Sequence, residues 1–216
     1  MNKAATMSTD EIWRAVVAER TSLIGLLETL TESQWERASL CAGWRVRDVV
    51  AHIVQSSDAS IGWILLNVIR ARGNFDRAVR DSAIRHADQV TTARLLDELR
   101  DRVELRVSPG PTTPVDRLMD LLVHGQDIAG PLGIDRDMPV DAARSAIDRV
   151  WTSSAPFGAR KKFRNYRLVA TDVEWTAGDG LLVEGPVSAL LLLVTGRRIS
   201  LGSLAGAGAA ELIAGS

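Results

Sequence analysis

Thr113-Pro114-Val115-Asp116-Arg117-Leu118-Met119-Asp120-Leu121-Leu122-Val123-His124-Gly125-Gln126-Asp127-Ile128-Ala129-Gly130-Pro131 is the stretch whose reading decides the fold. Thr113 is a good N-cap, Pro114 takes the first helical position, where no N–H is needed, and Asp116 suits the positive end of a helix dipole. Gly130-Pro131 is a stop signal, so the spacing predicts a helix over 114–129. At about 100° per residue, Asp116, Arg117, Asp120, His124 and Asp127 fall in one stripe, and apolar side chains hold nearly all the remaining circumference. The stripe is either a solvated face or one wall of a site, and spacing alone leaves both open. Asp120 and His124, four residues apart, project from the same face and can chelate one ion.

Upstream, Val46, Val49, Val50, Ile53, Val54 and Ile61 recur at helical intervals, and the pattern persists to Arg70, predicting a second long helix over 46–70. His52 lies at the edge of its apolar stripe, in line with Ser56. That position suits the wall of a pocket between helices, although a core histidine hydrogen-bonded to a neighbour is the plainer reading. Ser8 with Glu11 has capping-box spacing and opens a first helix running to about Thr29. Thr31 with Gln34 repeats the signal before the loop Leu40-Cys41-Ala42-Gly43.

Arg72 to Thr92 carries charge, Gly73, Asn74 and little apolar periodicity, and reads as a mobile connection with one helical turn around Ala78, placed to lie over a site entrance. His86 within it reads as a surface residue. A third helix follows over 93–107, and a shorter one is expected over 140–151. Beyond Pro156 the texture becomes β-like: Tyr166 to Thr171 alternates, and Ala177-Gly178-Asp179-Gly180 reads as a hairpin turn before Leu181 to Val183, giving two strands. Gly185-Pro186 opens a short apolar helix to Val194, and the Gly/Ala-rich tail from Leu201 is weakly specified. The whole reads as a mainly α chain, with a helical domain over 1–155 and a small C-terminal α/β extension over 156–216.

The chain has 216 residues, 46% apolar and 25% charged, the balance of a packed globular protein. Its 26 basic and 27 acidic residues leave a net charge of −1, so nucleic acid and anionic membrane are not expected as partners. The longest aliphatic run, Ala189 to Val194, is far short of the roughly 20 residues that span a bilayer. One cysteine, Cys41, excludes an internal disulfide, and the first residues lack a basic-then-apolar signal pattern, so a cytoplasmic location is expected. Six tryptophans against one tyrosine and three phenylalanines leave indole surface for a homodimer contact.

Taken together, His52, Asp120 and His124 would make an open three-ligand metal site, with a coordination position left for water, substrate or a thiol. Asp127, one turn beyond His124, suits a carboxylate that orients a ligand imidazole, and it is the candidate general base should the reaction be metal-assisted hydrolysis. Cys41 reads as a small buried hydrophobe before it reads as a further ligand.

Leu40-Cys41-Ala42-Gly43-Trp44-Arg45-Val46-Arg47-Asp48-Val49-Val50-Ala51-His52, and Asp120-Leu121-Leu122-Val123-His124-Gly125-Gln126-Asp127-Ile128 with Pro131-Leu132-Gly133 after it, resemble the two signature segments of the mycothiol-dependent maleylpyruvate isomerase family, among the DinB/YfiT-like metalloenzymes. Leu181 to Pro186 and the run to Thr195-Gly196-Arg197 are similar to the ending of many members. The resemblance implies a DinB/YfiT-like four-helix bundle in which His52, Asp120 and His124 bind a divalent ion, zinc first and nickel next. It also implies that mycothiol, a low-molecular-weight thiol, attacks a small electrophile as thiolate, giving isomerisation or S-conjugation. The family's isomerase carries Glu where this chain has Asp120. Arg45 replaces the Ser or Thr that usually caps the helix bearing His52, a loss of about 1 kcal/mol, while Asp48 still offers a carboxylate to the first turn. Arg160 and Lys161, in a basic cluster with Lys162, Arg164 and Arg167, are candidates to receive a carboxylate of thiol or substrate, against the plainer reading of a solvated basic loop. The competing function is a stress-response bundle that binds a metal or small ligand without turnover.

Overall fold

The computed structural model describes residues 7–58, 61–70, 72–108 and 112–215. Helices α1 (Thr9–Glu28), α2 (Glu32–Trp35), α3 (Val46–Asp58), α4 (Ile61–Arg70), α5 (Phe75–Gln89), α6 (Thr92–Arg100) and α7 (Pro114–Leu132) come first. They are followed by α8 (Val140–Thr152), α9 (Ala159–Lys162), strands β1 (Tyr166–Ala170), β2 (Thr176–Ala177) and β3 (Leu181–Gly185), then α10 (Val187–Val194), a 3-10 turn at Leu201–Ser203 and α11 (Ala207–Ala214). The chain is mainly helical with a small sheet toward the C-terminus, as the patterning predicts. It divides into two compact units, one of residues Trp13–Arg136 and one from Asp137 onward that takes in the chain up to Ile12. The division precedes the change of texture at 155/156 because α8 packs against α10.

In the helical unit α3 is the hub, touching α2, α5, α6 and α7. Val46, Val49, Val50 and Ala51 are all 0% exposed, so one face of α3 is entirely core. The helix expected over 46–70 is divided into α3 and α4 around residues 59–60, which lie outside the described residues. Arg45 does not weaken the start of α3. Its own N–H donates to Asp48 Oδ2 at 2.7 Å, and its guanidinium grips the same carboxylate through Nε at 2.9 Å and Nη2 at 2.8 Å. Asp48 thus satisfies the exposed end of the helix from inside its first turn.

The mobile connection expected over 72–92 is instead the fifteen-residue helix α5, capped by Asn74, whose side chain accepts the Arg77 N–H. Its buried stripe is Ala78, Ser82, Ala83 and Ala87, a helical spacing written in small residues that let α5 lie close to α3. His86 is half-buried, its Nε2 2.7 Å from Glu98 of α6, so it ties two helices together and is not a bare surface residue. Helix α6 stops at Arg100, short of the expected Val107. Arg20, only 1% exposed, donates from Nη1 to the carbonyls of Arg102, Val103 and Leu105 at 2.7, 3.2 and 2.8 Å, taking up acceptors a longer helix would have used internally. Trp13, Trp35, Trp44 and Trp175 are buried within the chain, so the indole surface expected for a dimer contact is not theirs.

In the second unit the strand order is β2-β1-β3, with β1 antiparallel to β2 and parallel to β3. The expected hairpin turn at 177–180 is therefore a crossover: β2 and β3 flank β1 instead of pairing. Gly178 and Gly180 pass so close to the start of β1 that an added Cβ would meet the carbonyl oxygens of Tyr166 and Asn165 at 2.3 and 2.1 Å. The Gly/Ala-rich tail is ordered as α11, packed on β3, where Gly208 has no room for a side chain beside Val183 and Tyr166. No helix among the described residues is long and apolar enough to cross a membrane.

If small residues are what seat α5 on α3, enlarging them must cost stability. Ala83→Leu or Ala87→Leu, each at a 0% exposed position, is expected to destabilise by about 1–3 kcal/mol and to lower the urea midpoint. A change within roughly 0.5 kcal/mol, the usual surface value, would restore the reading of 72–92 as a loose connection.

Candidate metal centre

Packing of α3 against α7 brings His52 and the polar stripe of α7 face to face. Asp120 lies between two imidazoles: its Oδ1 is 3.5 Å from His52 Nε2 and 3.4 Å from His124 Nε2. The three donor atoms all lie within 4.8 Å of one another. These separations are longer than the usual 2.7–2.9 Å, approximately, of a charge-assisted hydrogen bond. They match the roughly 3.4 Å between donors that each stand about 2.1 Å from a common tetrahedral ion. The donor set therefore fits a divalent cation, and all three residues remain partly exposed, with side-chain exposures of 16% for His52, 21% for Asp120 and 13% for His124.

The opposite edge of His124 is hydrogen-bonded. Its Nδ1 is 2.8 Å from Asp127 Oδ2, and Cys41 Sγ donates to the same oxygen at 3.1 Å while lying 3.7 Å from His124 Nδ1. Cys41, His124 and Asp127 are also close enough to hold an ion, but the 2.8 and 3.1 Å contacts are ordinary hydrogen bonds. Asp127 is 0% exposed, on the far side of the imidazole from Asp120. From there it is placed to orient the ring and fix its tautomer.

Pro131 explains how Cys41 arrives there. In a regular helix the N–H of residue 131 would donate to the carbonyl of Asp127, and proline has none. Helix α7 nevertheless runs through Pro131 to Leu132, past the predicted stop, and the Asp127 carbonyl accepts the Leu40 N–H at 3.1 Å. This anchors the segment before α3 onto α7. Ala38 and Arg45 bridge its two arms, and the Trp44 N–H closes a turn on the Cys41 carbonyl at 3.0 Å, with Gly43 at φ 77°. Trp44 is thereby set against both imidazoles, its ring centroid 5.3 Å from that of His52 and 6.3 Å from that of His124.

Burial pushes the carboxyl of Asp120 up, but the flanking His52 and His124 outweigh it and hold the group well below the usual carboxylate range. Burial likewise pushes His124 down, and contacts with Asp120, Asp127 and Cys41 prevail, holding the ring well above an ordinary histidine. Among the sequence-derived candidates, His52, Asp120, His124 and Asp127 are brought together. Arg160 and Lys161 belong to the second unit, both exposed on α9. Two further members had no role assigned from the sequence: Trp44, and Ser56, there only placed in line with His52; the Ser56 Oγ donates to Asp120 Oδ2 at 3.1 Å. The signal for Ser56 was its place one turn after His52 on the same face.

A family model described as the mycothiol maleylpyruvate isomerase N-terminal domain matches residues 16–129. Among solved structures, the crystal structure of the mycothiol-dependent maleylpyruvate isomerase is similar with a TM-score of 0.67 at 14% identity, covering 95% of this chain and 96% of that one. A crystal structure of a histidine-to-alanine mutant of that isomerase gives 0.66 at the same identity and coverage. At this identity the likeness speaks for the fold alone. No curated protein matches the chain. The matched family segment spans more than half of the chain and contains all three donor residues, so the chain belongs to the mycothiol maleylpyruvate isomerase N-terminal domain family.

Proposed function

We propose that this protein is a divalent-metal-dependent enzyme of the isomerase or transferase type, using a low-molecular-weight thiol, mycothiol, to attack a small electrophile. The observation that carries the reading is the spacing of His52, Asp120 and His124, too wide for hydrogen bonds and right for ligands of one ion. Two nitrogens and one oxygen suit zinc, with nickel as the alternative. The thiol and the electrophile are inferred from the family and from the isomerase whose fold this chain shares. The role expected of Arg160 and Lys161 forms no part of this reading.

A divalent ion in such a site supplies Lewis-acid chemistry, lowering the pKa of a thiol or water at its open position. The chain's own residues set the stage. Asp127 accepts from His124 Nδ1, leaving the Nε2 lone pair to face the ion, and Cys41 satisfies the same carboxylate from the other side. Ser56 holds the second oxygen of Asp120, so the shorter acid presents Oδ1 in one orientation. Trp44, 9% exposed, covers the imidazoles with an apolar ring and limits water beside them.

Elemental analysis tests the ligand set. The purified protein is expected to carry one divalent ion per chain, and a variant with His52, Asp120 and His124 all replaced by Ala none; equal content in both would sink the proposal. In cobalt-substituted protein, added mycothiol should shift the visible spectrum. An unchanged spectrum would favour a binder without turnover.

A pH dependence also follows. His124 holds its proton above the ordinary value of 6.5, and an ion must displace that proton, so affinity is full above the raised pKa and is lost as pH falls through it. Asp127→Asn removes one cause of the raised pKa. In chelator-stripped protein followed by NMR the variant should move the His124 midpoint down, and it should weaken zinc binding about 10–100-fold. A variant that matches the wild type in both measurements would remove the positioning role of Asp127.

A further inference from the structure

Ser56 stands one turn after His52 on α3, so one helix carries both a donor of the triad and the hydroxyl beside the triad's acid. The carboxylate of Asp120 is turned between them: Oδ1 lies 3.5 Å from His52 Nε2 and 3.4 Å from His124 Nε2, and Oδ2 lies 3.1 Å from Ser56 Oγ. Ser56 is itself fixed from α7, because its carbonyl accepts from Arg117 Nη1. Arg117 and Asp120 are one turn apart on α7, so that helix grips Ser56 by its backbone and by its hydroxyl.

A hydroxyl has a single proton to give. Ser56 Oγ has two acceptors at 3.1 Å, Asp120 Oδ2 and the carbonyl of Ile53. The Ile53 carbonyl already accepts from the Ser57 hydroxyl at 2.8 Å, and a carboxylate is the stronger acceptor, so the Ser56 proton goes to Asp120. One oxygen of the acid is thereby committed to the protein, and the other faces the imidazoles. Two nitrogens and one oxygen are three donors, and one open position completes the four of a zinc site. Release of Oδ2 would let the carboxylate bind through both oxygens, and the higher coordination number that results suits manganese or nickel better than zinc.

We infer that Ser56 sets the coordination number of the ion: by holding Oδ2 it keeps Asp120 a one-oxygen ligand, and it thereby selects zinc over metals that seek more than four donors. The inference rests on the metal-site reading and deepens it, since the triad alone admits zinc and nickel and Ser56 chooses between them. Ser56 acts as a positioning residue, through Asp120 and without touching the ion.

The test compares wild type, Ser56→Ala and Ser56→Thr, each stripped with chelator and then reconstituted with cobalt, or with zinc and nickel in equimolar competition followed by elemental analysis. Cobalt held by four ligands absorbs strongly in the visible, and cobalt held by more absorbs weakly, so the spectrum reports the coordination number. Wild type is expected to give the intense spectrum and to retain zinc. Ser56→Ala should lose intensity severalfold and move the bound zinc-to-nickel ratio toward nickel by about tenfold, and Ser56→Thr, which keeps the hydroxyl, should follow the wild type. A serine that merely packed between the helices would move neither readout. The same spectrum and the same metal ratio in wild type and Ser56→Ala would overturn the inference and leave the triad as a metal site. A weak wild-type spectrum would do the same, as would Ser56→Thr matching Ser56→Ala, since the cause would then be volume and not the hydroxyl. A wild type that takes up no metal would remove the metal reading and this inference together.

Discussion

A carboxylate flanked by two imidazoles, half out of water, is the constraint around which the helical unit is arranged. Burial pushes the carboxyl of Asp120 up, and the flanking imidazoles outweigh it and hold the group down. Those neighbours come from α3 and from the next turn of α7, so the two helices must meet at one height and one rotation. The wholly apolar face of α3 fixes that rotation by burying Val46, Val49, Val50 and Ala51, which leaves His52 at the seam. Packing thus sets the chemistry: the core face of α3 decides where its one imidazole points.

The segment before α3 is the second determinant, and it depends on a defect. Pro131 deprives the Asp127 carbonyl of its helical donor, and the Leu40 N–H supplies one in its place. Through that link the turn at Cys41 to Trp44 lies on α7, giving Asp127 a second donor and the imidazoles an aromatic neighbour. Asp127 contributes from both ends, its side chain to His124 and its carbonyl to the loop. A buried carboxylate engaged in this way holds its ligand more rigidly than an exposed one would.

Sequence periodicity located most helices because their core positions are large and apolar. It missed α5, whose buried positions are Ala and Ser, residues that carry little hydrophobic signal but permit close packing. It also misplaced the ends of α6 and α7. Both depend on distant partners, Arg20 for the first and Leu40 for the second, and no local propensity encodes those contacts. The crossover between β2 and β3 was invisible for a related reason: Gly178-Asp179-Gly180 has the chemistry of a hairpin turn, and only pairing with β1 on both sides makes it a crossing.

For the site, spacing placed Asp120, His124 and Asp127 on one face of a single helix, and resemblance joined them to His52. That much is local, since a helix repeats every 3.6 residues or so and the residues are written at that interval. Which nitrogen of His124 faces Asp120, which side Asp127 takes, and that Ser56 and Trp44 stand beside the triad were decided by the contact of α3 with α7 and by the loop clipped between them. The sequence alone determined the donors and the face that carries them; tertiary packing decided their partners, because the distances that separate a ligand from a hydrogen bond are set between helices and not along one.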